Sequence, residues 1–334
     1  MTAADLVAAA RAPLGRADTE ALFHAIFRGD LSEEQIIAYL SATADRKPVV
    51  DEIVGAVTAM RAHMRPVTAP QGAIDLCGTG GDGLGTLNIS TAVSFVVAAA
   101  GVPVAKHGNR SASSRSGAAD VLEALGVKVG LEPAHAERVL ADTGIVFLFA
   151  QTHHPAMRFV GPARKAIGRR TIFNLLGPLA SPARVTRQLA GVFSSDWLEP
   201  YAHALHELGS DSAIIVHGED GLDEVSISAP TRAALLQKGT ITTATLTPEQ
   251  AGLARQPLST IVGGDAAHNA AALTRLFDGE AGPYRDIVCL NAAAALMVAG
   301  AASGIKDGAQ LAADRIASGA ARDKLNALIK ASNA

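Results

Sequence analysis

Residues 77–91 read Cys-Gly-Thr-Gly-Gly-Asp-Gly-Leu-Gly-Thr-Leu-Asn-Ile-Ser-Thr, and that run could hold a phosphate. Glycines such as Gly78, Gly81 and Gly83 let backbone N–H groups approach an anion closely. A helix starting near Ser90 adds unpaired donors and partial positive charge. Asn88, Ser90 and Thr91 add side-chain donors at the same end. The chemistry this suggests is an anion cradle, above all for pyrophosphate. A tight turn with an ordinary polar cap is the plainer alternative. Gly78, Gly80 and Gly83 also fit the dinucleotide fingerprint, which expects an acid at the end of the next strand. Lys106 and His107 stand there instead. No Gly-Lys-Ser/Thr follows, so the loop is not a Walker A motif.

Three more clusters could do chemistry. In 106–114, Lys106 and Arg110 can neutralise phosphate, Gly108 lets the chain turn, and Asn109, Ser111, Ser113 and Ser114 supply hydrogen bonds. A solvated basic loop is the rival reading. His153 and His154 precede Pro155, and Arg164 follows. Adjacent histidines rarely face one metal ion, and no third ligand is near. A guanidinium fork suits a carboxylate, although a lone arginine is most often a surface residue. Last, Asp220, Asp223 and Glu224 crowd one loop. Such carboxylates suit Mg²⁺, which keeps water and substrate phosphates as ligands; a solvated acidic turn is the alternative.

These clusters need elements to position them. Up to about Met64, apolar residues recur at helical spacing, as in Ala21, Leu22, Ala25 and Ile26. Asp18 with Glu20, and Ser32 with Gln35, look like helix starts. Pro48 fits the start of a helix over 49–65, and 66–72 reads as a linker. Strands are expected at 73–77, 102–106, 146–149 and 212–216. Helices are expected at 90–100, 116–125, 198–208 and 286–302. This alternation predicts an α/β domain around a mostly parallel sheet, behind a small all-helical domain. The domain boundaries expected are 1–70, joined by helices from about 165–185, and 71–334.

Composition narrows the function. Of the 334 residues, 49% are hydrophobic and 18% charged, enough for a sizeable core. Aromatics at 4% leave few platforms for stacking bases, and a net charge of -3 offers no attraction to a phosphate backbone. Nucleic-acid binding is therefore not expected. Cys77 and Cys289 alone cannot build a disulfide framework, which suits a reducing cytoplasm. No basic n-region precedes an apolar core in the first ten residues, so no secretory signal is read. The apolar stretch 92–105 is too short to span a bilayer and reads as a buried helix running into a strand.

Taken together, the motifs resemble those of anthranilate phosphoribosyltransferases over nearly the whole chain. The stretches that carry the likeness are GTGGDGLGTLNIST (78–91), KHGNRSASSRSGAADVLEALGV (106–127), HPAM (154–157), GRRTIFNLLGPL (168–179) and HGEDGLDE (217–224). The resemblance implies a cleft between helical and α/β domains, and a homodimer joined through the helical domain. It implies that Gly78, Gly81, Asp82, Thr86, Asn88, Ile89, Ser90, Thr91, the loop from Lys106 through His107, Gly108, Asn109, Arg110, Ser111, Ala112, Ser113 and Ser114, and Ala118 hold phosphoribosyl pyrophosphate. It implies Mg²⁺ on Ser90, Asp223 and Glu224. Anthranilate would meet Gly78, Asn109 and Arg164, with His107 and His154 lining its path. No acid, base or nucleophile is expected, only charge stabilisation by Lys106. Ala118 stands where many relatives have Ser, which removes one phosphate contact; Ala112, Gln151 and Ser181 are smaller departures. A pyrimidine nucleoside phosphorylase shares the Lys-His-Gly start but continues with a glycine-rich pattern. A non-catalytic nucleic-acid-binding relative would need a basic groove.

Overall fold

The computed structural model describes residues 1–110 and 115–334; Ser111, Ala112, Ser113 and Ser114 lie outside the described residues. Seven strands form one sheet: β1 Ile74–Leu76, β2 Val104–Gly108, β3 Ile145–Phe149, β4 Arg187–Gly191, β5 Ser212–Gly218, β6 Thr231–Gln237 and β7 Thr240–Leu246. Their order is β3-β2-β1-β4-β5-β6-β7. The first five are parallel, and β6 and β7 add an antiparallel edge. The expected mostly parallel sheet is thus present. Lys238 and Gly239, at φ 48° and 82°, make the two-residue turn of the β6–β7 hairpin, as a turn of right-handed strand twist requires.

The chain builds outward from β1 to β3, then returns to place β4 on the other side of β1. This reversal opens a crevice beyond the carboxyl ends of β1 and β4, where open α/β sheets bind ligands. Parallel strands covered on both faces read as continuous apolar runs. β3, Ile-Val-Phe-Leu-Phe, is buried throughout. The stretch 92–105 divides as expected, between the buried helix Ile89–Ala99 and β2.

Two readings need correction. Strand β2 runs to Gly108, because pairing with β3 continues to Gly108↔Phe149. His107 and Gly108, beyond the expected end at 106, therefore sit within the strand. Asp18 does not start a helix; Arg16–Arg28 starts one turn earlier from Gly15, and Asp18 lies in its first turn. Ser32 does cap Glu33–Arg46, through reciprocal bonds with Gln35.

The N-terminal helices Ala3–Ala9, Arg16–Arg28, Glu33–Arg46 and Val50–Ala62 share one apolar cluster with Gly161–Ile167 and Phe173–Leu179. Phe23 is central, with ring centroids 5.7 Å from Tyr39 and 5.5 Å from Phe173. Within this cluster Glu52 is fully buried and accepts from Arg46 Nη1 at 2.8 Å, Leu14 N at 3.2 Å and Val49 N at 3.1 Å. A buried carboxylate needs that many donors, since breaking such a pair costs about 3–5 kcal/mol.

Candidate active site

The loop after β1 leaves the sheet at the reversal point. Gly80, Gly81, Gly83 and Gly85 all have positive φ, between 63° and 80°, a region closed to most side chains. Thr79 N donates to Gly191 O at 2.8 Å, and Phe193 N donates to Thr79 Oγ1 at 3.1 Å. Arg170 caps the loop from the other side, donating to Gly81 O while its guanidinium lies 4.4 Å from the Phe193 ring centroid. The loop then pairs with a distant segment: Gly263 N donates to Gly85 O at 2.8 Å and Leu87 N to Ile261 O at 2.9 Å. Thr86 forms a bridge with Val262.

The acidic loop folds back onto this cradle. Asp223 Oδ2 accepts from Gly80 N at 2.8 Å, and Glu224 Oε1 accepts from Ser90 N at 3.2 Å. Burial, and then the nearby Asp82 and Glu224, push the Asp223 carboxyl well above its usual range. Burial also raises Glu224, to about 7, against the pull of Lys106. Carboxylates crowded together out of water destabilise one another, and a divalent cation relieves that. Hard oxygen donors near a phosphate cradle fit Mg²⁺. Asp220 is different. Its Oδ1 accepts from Leu222 N and its Oδ2 from Ser226 Oγ, so it shapes the loop.

Close approach here depends on glycine. A Cβ on Gly78 would sit 3.0 Å from Asp223 Oδ2, and one on Gly191 only 1.5 Å from Asp223 O. Gly191→Ala must therefore displace the Asp223 backbone. Overpacking of this kind costs about 1–3 kcal/mol; the expected result is a lower urea midpoint together with slower turnover. A variant matching the parent in both would contradict the packing described.

Lys106 is buried, 4% exposed, and its Nζ reaches Leu76 O and, at 3.2 Å, Ser90 Oγ. It can reach because β1 and β2 are in register only at Ile74↔Val104 and then part. Asp75 replaces the missing ladder bond, its Oδ1 accepting from His107 N at 2.9 Å. Burial raises Asp75 to about 7, and the Lys106 charge opposes that. Asp75, Cys77 and His107 lie close enough to suggest a metal. Burial holds the Cys77 thiol far above its usual value.

The two histidines meet on the far wall. His107 Nδ1 lies 3.0 Å from Gly177 O, and its ring centroid is 5.2 Å from that of His154. Both Nε2 atoms are buried without a partner among the described residues. Burial pushes His107 well below its usual value; burial and then His153 push His154 from 6.5 to about 4. An unfolded chain protonates His154 near pH 6.5, whereas the native protein resists until about 4. Stability should thus fall as pH drops through that window, by on the order of 3 kcal/mol. Melting curves should show a steeper acid loss of Tm for the parent than for His154→Asn; equal slopes would contradict this.

Arg164 lies on the helix Gly161–Ile167, with its guanidinium 5.7 Å from the Phe173 ring centroid. Burial lowers its pKa. Among the described residues it pairs with no carboxylate. Phe173 and Gly177 are one helical turn apart, about 6 Å, so Arg164 and His107 lean on the same short helix. Asn109 Oδ1 accepts from Arg110 N at 2.8 Å. Arg110 itself is engaged with Asp120 and Glu123, at 2.7 and 2.6 Å, and stacks on Phe149. It reaches a phosphate only when those ion pairs open. Ala118 begins the helix beside Gly108.

A glycine cradle, a carboxylate pair and a buried lysine at a sheet reversal define a phosphate-handling α/β enzyme. Residues 70–322 match the glycosyl transferase family, a/b domain, and residues 1–64 its helical bundle domain. Anthranilate phosphoribosyltransferase from Rhodopseudomonas palustris (strain BisB18) is 54% identical, covering 96% of this chain and 95% of its own. The enzyme from Rhizobium meliloti (strain 1021) is also 54% identical, covering 98% and 96%. Among solved structures, anthranilate phosphoribosyltransferase of Thermus thermophilus superposes with TM-score 0.95 at 41% identity over all of both chains. That of Saccharomyces cerevisiae, in complex with PRPP and Mg, gives 0.87 at 28% identity, over 96% and 94%. The chain belongs to this glycosyl transferase family, within the branch of the anthranilate phosphoribosyltransferases.

Proposed function

We propose that this chain transfers the phosphoribosyl group of phosphoribosyl pyrophosphate to anthranilate, giving N-(5-phosphoribosyl)anthranilate and pyrophosphate in tryptophan biosynthesis. The observation that carries this reading is the convergence of Gly80 N–H, Asp223, Glu224, Ser90 and Lys106 at the β1/β4 reversal. The diphosphate lies against Gly78, Gly81, Asp82, Thr86, Asn88 and the helix start at Ile89, Ser90 and Thr91. Asp223 and Glu224, with Ser90, hold Mg²⁺, which supplies positive charge against the leaving pyrophosphate when bound. Lys106 adds a fixed positive charge at the same end.

Arg164 grips the anthranilate carboxylate, with Asn109, His107 and His154 beside the ring. The amine nitrogen attacks the anomeric carbon as the bond from that carbon to pyrophosphate oxygen breaks, and the cationic nitrogen then releases a proton to the departing pyrophosphate or to water. An aromatic amine is neutral at pH 7, so no strong base is needed. The chain's contribution is positioning and charge. Burial lowers the pKa of both histidines, which favours the neutral rings beside an uncharged aromatic face. The boundaries 1–70 with helices from about 165–185, and 71–334, describe the two units; the packing of Phe23 against both Tyr39 and Phe173 supports counting the later helices with the first unit. The reading extends to a cytoplasmic homodimer joined through the helical unit. Among the described residues, no helix is long and apolar enough to cross a membrane. The test is the loss of anthranilate fluorescence with phosphoribosyl pyrophosphate and Mg²⁺, each omitted in turn. Loss only in the complete mixture supports the assignment; none in any mixture rejects it.

A further inference from the structure

Asn88 is the residue before the helix Ile89–Ala99, and asparagine there normally accepts a hydrogen bond from the second or third helical N–H. It does not do so: no side-chain cap is formed. The reason lies 181 residues away. Asn269, 2% exposed on the helix Ala266–Phe277, donates from Nδ2 to Asn88 Oδ1 at 2.8 Å. Its own orientation is set by a backbone group of unambiguous polarity. Gly264 N–H can only donate, and it donates to Asn269 Oδ1 at 2.7 Å. The Asn269 oxygen is thereby committed to Gly264, its nitrogen must face Asn88, and Asn88 must answer with its oxygen. Tyr284 OH donates to Asn88 O at 3.2 Å and fixes the backbone beneath.

Two consequences follow for the anion cradle. Asn88 Nδ2 is left as a donor with no acceptor among the described residues. The N–H of Thr91, which a capping Asn88 oxygen would satisfy, is left for a ligand. We propose that Asn269 is a positioning residue: a polarity relay from Gly264 N–H through Asn269 turns Asn88 into a donor toward diphosphate and keeps the Asn88 oxygen off the Thr91 N–H. Without the relay, Asn88 would rotate its oxygen onto its own helix and close the cradle with a like-signed group. The inference rests on the reading of residues 78–91 as the diphosphate site.

Asn269→Asp tests it. The carboxylate still accepts from Gly264 N–H but demands a donor from Asn88, reversing that amide. Hydrogen bonds to charged groups are among the stronger ones, so KM for phosphoribosyl pyrophosphate should rise at least about tenfold. KM for anthranilate and the Tm should stay within about twofold and a few degrees. Asn269→Ala, which adds no charge, should show the same split. Calorimetric titration with pyrophosphate and Mg²⁺ should weaken in parallel. In an Asn88→Ala background, Asn269→Asp should cost less than about twofold further, because the amide it acts through is gone. An equal cost in both backgrounds would overturn the relay, as would KM values for both substrates rising together with a falling Tm. A parent protein that binds no pyrophosphate would overturn the site itself; parent binding that the variants leave intact would overturn only the relay.

Discussion

Changing Asp223 to Asn and Glu224 to Gln together should lower kcat/KM by about a thousandfold and abolish its dependence on Mg²⁺. Each tenfold corresponds to about 1.4 kcal/mol of barrier, and the loss of a cation facing a leaving pyrophosphate is worth several. The substitution is suited to the question because it keeps the shape. Asn retains an oxygen for Gly80 N–H, and Gln one for Ser90 N–H, where the native carboxylates accept now. What disappears is charge. Both carboxyls are raised by burial, and Asp223 further by Asp82 and Glu224, so neutral amides should raise the Tm measured without Mg²⁺. Greater stability with lost turnover is the mark of a site strained for function. Initial rates against Mg²⁺ concentration check the first half; an unchanged Mg²⁺ dependence would reject the metal assignment.

Arg164→Ala should raise KM for anthranilate by about a hundredfold while kcat changes by less than about threefold. A guanidinium held beside Phe173, with no carboxylate partner among the described residues, carries a standing desolvation cost. A substrate carboxylate offsets that cost on binding. Losing one partner of such a pair typically costs about 2–5 kcal/mol. The carboxylate is ortho to the reacting amine but keeps its charge through the bond change, so the effect should fall on binding in ground and transition states alike. Steady-state kinetics with anthranilate varied separates the two parameters. A large fall in kcat at constant KM would contradict the role. Arg164→Lys should recover little, because a point charge does not reproduce a fork.

How far these residues were legible in the sequence depended on whether each acts through its neighbours in the chain. The glycine run 78–85 and the Ser32 cap are local devices, and their spacing announced them. The alternation of elements likewise pointed to a mostly parallel sheet. The end of β2 was placed two residues short, because apolar character stops before pairing does: His107 and Gly108 carry no apolar side chain yet still pair with β3. Strand β4 and the β6–β7 hairpin had weaker patterns. β7, Thr-Ile-Thr-Thr-Ala-Thr-Leu, is an edge strand whose polar face hides its alternation. Gly191, Asp75 and Asn269 act across the fold and carry no local signal. A glycine ending a strand is common, and only the Asp223 backbone packed against it makes Gly191 necessary. Arg110 shows the converse. Its charge suggests a phosphate ligand, but partners ten and thirteen residues on hold it in this conformation.

Crystals grown with phosphoribosyl pyrophosphate, Mn²⁺ in place of Mg²⁺, and anthranilate would place both reactants at once. The expected map has an anomalous peak beside Asp223 and Glu224, diphosphate density over the Ile89–Ala99 helix start, and a carboxylate on Arg164. An ordered diphosphate elsewhere, with residues 78–91 facing away from it, would contradict the mechanism at its root.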